Sequence, residues 1–364
     1  MSMQQGTEPE SRPNPVRRTL LTGGAVGLAA MAGAALGGAQ PASAGTGPVN
    51  WLTPTGDPAK DGPAIQGALN TAGFALLAPD LVNNNQYAIN TVINIPHKAT
   101  LSGIGAETRV MCTGNAGFFM HDMTGGGNDR TQNSSGCIRD LIIDGTNASQ
   151  YAIGLNIGDG WGYRLDHVFV ENFTAPFATG ILINNLNYFT EKMVATSVHV
   201  RNCSTHVWLV KGSGGQNSFE YNDLAFYFAM QPGQNGFVIT NGAYMAGGSL
   251  MIRGNAYSQS TTAAQGYVIT LGEGGGDGSF INSCRLDVVV ELDNYAGGNS
   301  YTPGTINFAD SSNVMSNVYG TLGFRDPHWT LSTLIPGAGQ LAFRGILYGD
   351  TVLTSNVQVP PAWV

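Results

Sequence analysis

Between residues 55 and 105 the spacing of apolar positions changes its period. In T-G-D-P-A-K-D-G-P-A-I-Q-G-A-L-N-T-A-G, residues 55–73, Ile65 and Leu69 fall at i and i+4 on one face. Asp61 is placed to cap such a helix with Pro63 in its first turn, and Gly73 to close it. The spacing predicts a short amphipathic helix. Beyond it come F-A-L-L-A-P at 74–79, Y-A-I-N-T-V-I-N-I-P at 87–96 and A-T-L-S-G-I-G at 99–105, each a short β-rich run ended by Pro, Gly or Asn.

Further along, alternating runs recur as R-D-L-I-I-D at 139–144, L-D-H-V-F-V-E-N at 165–172, T-S-V-H-V-R-N at 196–202, N-D-L-A-F-Y at 222–227 and G-S-L-M-I-R-G-N at 248–255. Aligned on Leu141, Val168, Val198, Leu224 and Leu250, they step by 27, 30, 26 and 26 residues. That is the period of a solenoid. An antiparallel sandwich would need turn signals every eight to twelve residues or so, which this spacing does not supply. Runs at 285–292, 316–324 and 340–348 continue the series with longer insertions.

Strand side chains alternate, so burying the five alignment residues also buries Ile143, Val170, Val200, Phe226 and Ile252. Three outer lanes follow. One reads Asp140, His167, Ser197, Asp223, Ser249; the next Ile142, Phe169, His199, Ala225, Met251; the third Asp144, Glu171, Arg201, Tyr227, Arg253. Asn172 and Asn202 share a turn position with Gly145 before them, where residues tolerant of a left-handed backbone predict a bend.

The opening helix carries D-x-x-A-I-Q-x-A-L, residues 61–69, ahead of short strands. Over about fifty residues this resembles the N-terminal cap of the pectate-lyase-like superfamily. The resemblance implies an all-β right-handed parallel β-helix with a short N-terminal capping helix. That superfamily contains lyases, hydrolases, epimerases and phage tailspikes, so no single activity follows. The N-x-D, D-D, G-H-G and R-I-K signatures of polygalacturonase-like hydrolases are absent at matching places, and R-L-D-H at 164–167 is a faint echo of the pectate-lyase v-W-I-D-H segment.

Composition supports turn-rich β-structure: of 364 residues, 51 are Gly and 17 Pro, and only 11% are charged. Net charge is −8, with four lysines scattered through the chain and no basic run, which argues against nucleic acid as a partner. Residues 1–44 read as a signal peptide: Arg17-Arg18, an uncharged Ala- and Gly-rich stretch, then Ala42-Ser43-Ala44. The arginine pair with Leu20 and Leu21 resembles a twin-arginine signal, with Val16 where such signals usually carry Ser or Thr. Secretion through the twin-arginine export machinery is therefore expected, without stable membrane insertion. Residues 45–105 form the cap and first coils, and 106–364 the remaining coils and C-terminal cap. Cys112, Cys137, Cys203 and Cys284 match no metal or redox spacing and read as buried or turn thiols, with Cys112–Cys137 the pair to consider for a disulfide.

The third lane carries the candidate chemistry. Coils stack about 4.8 Å apart, and two carboxylates at about 5 Å repel by roughly 1–3 kcal/mol, which separates their pKa values. Arg201 favours ionised Glu171, leaving Asp144 as general acid and Glu171 as base or nucleophile, with His167 assisting. Asp140, His199, Arg201, Trp161 and Tyr188 are the expected substrate contacts. A solvated face in which Glu171 and Arg201 merely pair is the bland alternative. No protein-bound metal is assigned; Ca2+ enters only if the reaction is a β-elimination. The expectation is a polysaccharide-cleaving protein acting by hydrolysis or β-elimination, and the alternative is a non-enzymatic glycan-binding or adhesion protein.

Overall fold

In a computed structural model, residues 51–121, 135–215, 218–231, 233–257, 259–260, 266–273, 276–293, 300–301, 304–309 and 312–325 are described, with short strands at 332–333, 340–348, 351–352 and 357–358. The leader assigned to residues 1–44 lies outside them. The described chain is a parallel β-helix with one α-helix at its start. Among the described residues, no helix is long and apolar enough to cross a membrane.

The helix spans Pro58–Ala72, and its N-cap is Asp57, whose side chain accepts from the Ala59 N–H. Asp61 is not the cap. It sits one turn inside, 2% exposed, and accepts from Thr55 N and Oγ1, Gly56 N and Ala88 N at 2.7–3.1 Å. Two Asp-Pro pairings compete for the helix start, and the earlier one wins because Asp61 is used to staple the incoming chain to the first coil. Gly73 closes the helix as expected, at φ 65° with its N–H on Leu69 O.

Each coil contributes three short strand segments. In the second sheet, Val92–Asn94, Gly117–His121, Ile153–Gly158, Thr179–Asn185, Thr205–Lys211, Asn235–Thr240, Tyr267–Leu271 and Gly304–Phe308 stack in parallel. The main sheet bends around the other two faces. Its strand Cys137–Ala148 pairs through its first residues with Thr100–Ser102 and through its later ones with Arg109–Gly114. The bend falls at Asp140, His167 and Ser197, all at φ 52–57°. A second bend uses Asn172 and Asn202 at φ 64° and 50°, and the Asn202 amide donates to Asn172 Oδ1 at 2.9 Å.

All ten side chains assigned to the interior are at most 1% exposed. The alignment itself slips once. Ala195 pairs with Leu224, but Val198 pairs with Phe226, so the strand Val194–Arg201 carries one extra residue at its bend. The strand Asp223–Met230 lacks that left-handed bend residue, and beyond the bend Val198 meets Phe226 where the alignment put Leu224, so the later lanes sit two positions further along. Asp223 lies beside Val194 rather than Ser197. Tyr227 and Arg253 follow His199, whereas Ala229 and Asn255 follow Arg201.

All four cysteines are free thiols, Cys112, Cys203 and Cys284 buried. Cys112 sits in a strand whose neighbours Met111 and Thr113 pair with Asp144 and Asn147, while Cys137 starts that partner strand, so their backbones are too far apart to be bridged. Burial drives the Cys203 thiol up to about 12. His206 is fully buried with Nδ1 3.1 Å from Asn235 O and Nε2 3.2 Å from Ala229 O. Burial outweighs those carbonyls and pushes its pKa down to about 4.

Candidate functional site

Asp144, Glu171 and Arg201 are register neighbours on three successive coils, as the lane requires. They do not form an open dyad. Asp144 is 4% and Glu171 1% exposed, because Arg109, from the preceding coil, lies across both carboxylates and donates to each from one guanidinium nitrogen. Arg201 donates from Nε to the other oxygen of Glu171. Two carboxylates and two guanidiniums thus cancel in one cluster.

Asp144 Oδ1 also accepts from Thr146 N at 2.9 Å, Thr146 Oγ1 at 2.6 Å and Asn172 Nδ2 at 3.2 Å. Burial opposes ionisation of Asp144, but the Thr146 and Asn172 hydrogen bonds and the Arg109 charge outweigh it and hold the carboxyl below its ordinary value. A general acid needs the opposite shift. The acid role expected for Asp144 therefore conflicts with its surroundings. Arg109 was missed because its run, R-V-M-C-T-G, precedes the first recognised repeat; pairing with Ile142 places it in the middle outer lane, from which it reaches sideways.

That middle lane behaves differently. Phe169, His199 and Tyr227 stack at 4.4 and 4.8 Å with ring planes within 14° of each other. His167 meets Phe169 edge-on and lies 3.2 Å from Asp140. His167 and Asp140 stand at the left-handed bends within their strands, and their side chains are half exposed. Burial first, then electrostatic repulsion from His167 and Arg201, lowers the pKa of His199 from its ordinary value.

Tyr227 ends the ladder at a groove of about 780 Å³ lined by Arg253, Gly254, Asn255, Val289, Glu291 and Thr321. Gly254 is required there: it sits at φ 116°, and a Cβ would lie 1.9 Å from Phe228 O. Asn255 and Glu291 are direct register partners. Neither was singled out from the sequence, although the runs at 248–255 and 285–292 contain them; the insertion between those runs hid the correspondence.

Trp161 and Tyr188 lie elsewhere. Trp161 pairs with Glu191 on the next coil and has Lys192 Nζ 4.4 Å over its ring. The Tyr188 N–H donates to Asp159 Oδ1 at 2.9 Å, and Asp159 Oδ2 is 3.4 Å from His121 Nδ1. Burial opposes the Asp159 charge, yet His121 and the Tyr188 and Asn187 N–H groups hold its carboxyl below the ordinary range. This corner precedes the strand Arg164–Glu171, eight residues or roughly 25 Å of chain from Glu171. The expected substrate contacts thus divide between opposite ends of the strands.

Among the described residues, no three His, Cys, Asp or Glu side chains converge as a metal site would need. The carboxylates a calcium-dependent elimination would draw on in the third lane, Asp144 and Glu171, are already neutralised by arginines.

No protein-family model matches the chain, and no curated protein matches it. Solved structures do resemble it. The chain is similar to ORF18 of Geobacillus virus E2 at 15% identity and TM-score 0.41, covering 82% of this chain and 61% of that one. It is also similar to the A-module of a mannuronan C-5 epimerase of Azotobacter vinelandii, at 13% identity and TM-score 0.33, covering 85% and 100%. An endo-xylogalacturonan hydrolase of Aspergillus tubingensis aligns at 13% identity and TM-score 0.25, covering 85% and 95%. These neighbours include carbohydrate-active enzymes as well as a viral protein, and what they share with this chain is the winding of the backbone.

Proposed function

We propose that the protein is an exported glycan-recognising β-helix that binds a polysaccharide along the outer face running from Phe169 to the groove at Tyr227. One observation carries this reading: a ladder of three stacked rings ends at an open groove whose lining includes the polar side chains of Arg253, Asn255, Glu291 and Thr321. Aromatic rings offer apolar faces to sugar C–H surfaces, while a few fixed polar groups select hydroxyls. The twin-arginine leader would deliver the folded protein to the exterior, where such polymers are met.

Cleavage is the second reading, and a specific residue favours it. Glu291 is a carboxylate lining the groove, free of the arginine cluster that occupies Asp144 and Glu171. Incubating the mature protein with plant, bacterial and fungal polysaccharides, with and without chelator, separates the two. New reducing ends, or the absorbance of unsaturated uronates, that vanish in Glu291→Gln would establish hydrolysis or β-elimination at this groove. Retention on a glycan matrix without either product establishes binding alone, and absence of both retires the proposal.

A further inference from the structure

A second aromatic feature lies outside the ladder and the groove. Tyr151 and Phe177, at the turn into the second sheet on successive coils, are 63% and 66% exposed. Their rings stack on one another at 5.1 Å with planes 7° apart. Each ring hides one face against its partner, so exposures this high leave the outer faces and edges open to solvent. The pair buries little surface, and folding gains little from it.

Both residues also sit in a left-handed backbone, Tyr151 at φ 64° and Phe177 at φ 61°. That conformation is unfavourable for any residue with a Cβ, and for a bulky aromatic it is an outlier. Asn fills the neighbouring left-handed bend at Asn172 and Asn202, and those side chains hydrogen-bond to each other across the coils. Two exposed aromatics placed where Asn or Gly would be easier are strain held without a packing return, a pattern that collects at binding sites.

The chemistry around the pair narrows the ligand. Residues 145–152 and 172–186 contain no Asp, Glu, Lys or Arg. The polar groups nearby are hydroxyls and amides: Ser149 Oγ bonds the Asn115 side chain, and Ser204 Oγ bonds Thr174 O and Ala175 O at 3.0 and 2.9 Å. A ring pair with uncharged flanks suits a neutral sugar chain and offers nothing to a polyanion. Building on the glycan reading above, we infer that Tyr151 and Phe177 form a second contact site, specific for uncharged polysaccharide and separate from the groove at Tyr227.

Native affinity electrophoresis tests this with gels containing a neutral glucan, xylan or mannan, or polygalacturonate. The comparison is between the wild type, Tyr151→Asn/Phe177→Asn, the ring-preserving Tyr151→Phe, and Tyr227→Ala. The inference expects at least one neutral gel to retard the wild type, the double variant to lose several-fold of that retardation, and Tyr151→Phe to keep it. Because Asn accepts the left-handed backbone, the double variant should melt no lower than the wild type. Equal retardation of the double variant, or a Tm several degrees lower, overturns the inference and leaves the groove reading standing. Retardation by polygalacturonate alone does the same. No retardation in any gel removes the glycan reading and this site together, and a protein partner would then have to be sought for the ridge.

Discussion

Two lanes on the same outer face, two residues apart along each strand, have opposite fates. In the lane of Asp144, Glu171 and Arg201 the charges are matched within the protein: Arg109 closes over both carboxylates, and hydrogen bonds from Thr146 and Asn172 finish the shell. In the lane of Phe169, His199 and Tyr227 the rings satisfy each other only along the stack and end at an open groove. A cluster whose carboxylates are buried and paired holds coils together and leaves only the half-exposed Arg201 guanidinium for a substrate to meet. An exposed, partly satisfied ladder adds less to stability and retains capacity to bind. Ionisable residues brought into a column by a repeat are therefore not thereby a catalytic centre; what covers them decides.

The sharpest way to break this contrast is to uncover the first lane. Arg109→Leu leaves two buried carboxylates short of a partner, and a loss of about 3–5 kcal/mol is expected, on the order of 10 °C in Tm. Thermal unfolding near neutral pH measures it. A loss below about 1 kcal/mol would mean that the cluster is not a structural clamp, and the catalytic reading of Asp144 and Glu171 would regain its ground.

Nearly as large is the expected effect of acid on His206, which is buried with no charge to meet it. Its folded pKa, about 4, lies below the ordinary value of 6.5, so the unfolded chain binds the extra proton first. Stability is full above about pH 6.5 and falls as pH drops toward about 4, by up to about 3 kcal/mol. Asp144 and Asp159 act in a lower window: both are held below the ordinary 3.8, so their contribution is present above that pH and is lost as pH falls through their folded values. Melting curves from pH 7 to 3 should show two limbs, and His206→Gln should flatten only the upper one.

The smallest expected effect belongs to the open lane. Tyr227→Ala should weaken glycan retention about tenfold, equivalent to about 1.4 kcal/mol, while moving Tm by no more than a few degrees. A loss of stability comparable to that of Arg109→Leu would erase the distinction between the lanes.

How much of this was legible beforehand differs by level. The inward positions from Leu141 to Ile252 follow from alternation and a period of 26–30 residues, and all are buried. Gly73 as helix closure and Asn172 and Asn202 as a bend follow from backbone preference alone. The helix cap was misplaced because Asp57 and Asp61 read alike along the chain, and it is the fold of the incoming segment, Thr55 and Gly56 together with Ala88 27 residues on, that occupies the Asp61 carboxylate. The lanes beyond Arg201 were misjudged because Val198 pairs with Phe226 rather than Leu224, and a shift of two residues keeps every side chain on its own face, so the apolar alternation does not reveal it.

The amino-acid order by itself determined that the chain winds, which side chains face inward and where it turns, because these depend on period and on local φ preference. Which outward residues remain available was decided only by the tertiary structure. Arg109 is 35 residues from Asp144 and 62 from Glu171, yet it neutralises both. Electrostatic pairing and exposure are properties of neighbours in space, and in a solenoid those neighbours come from other coils.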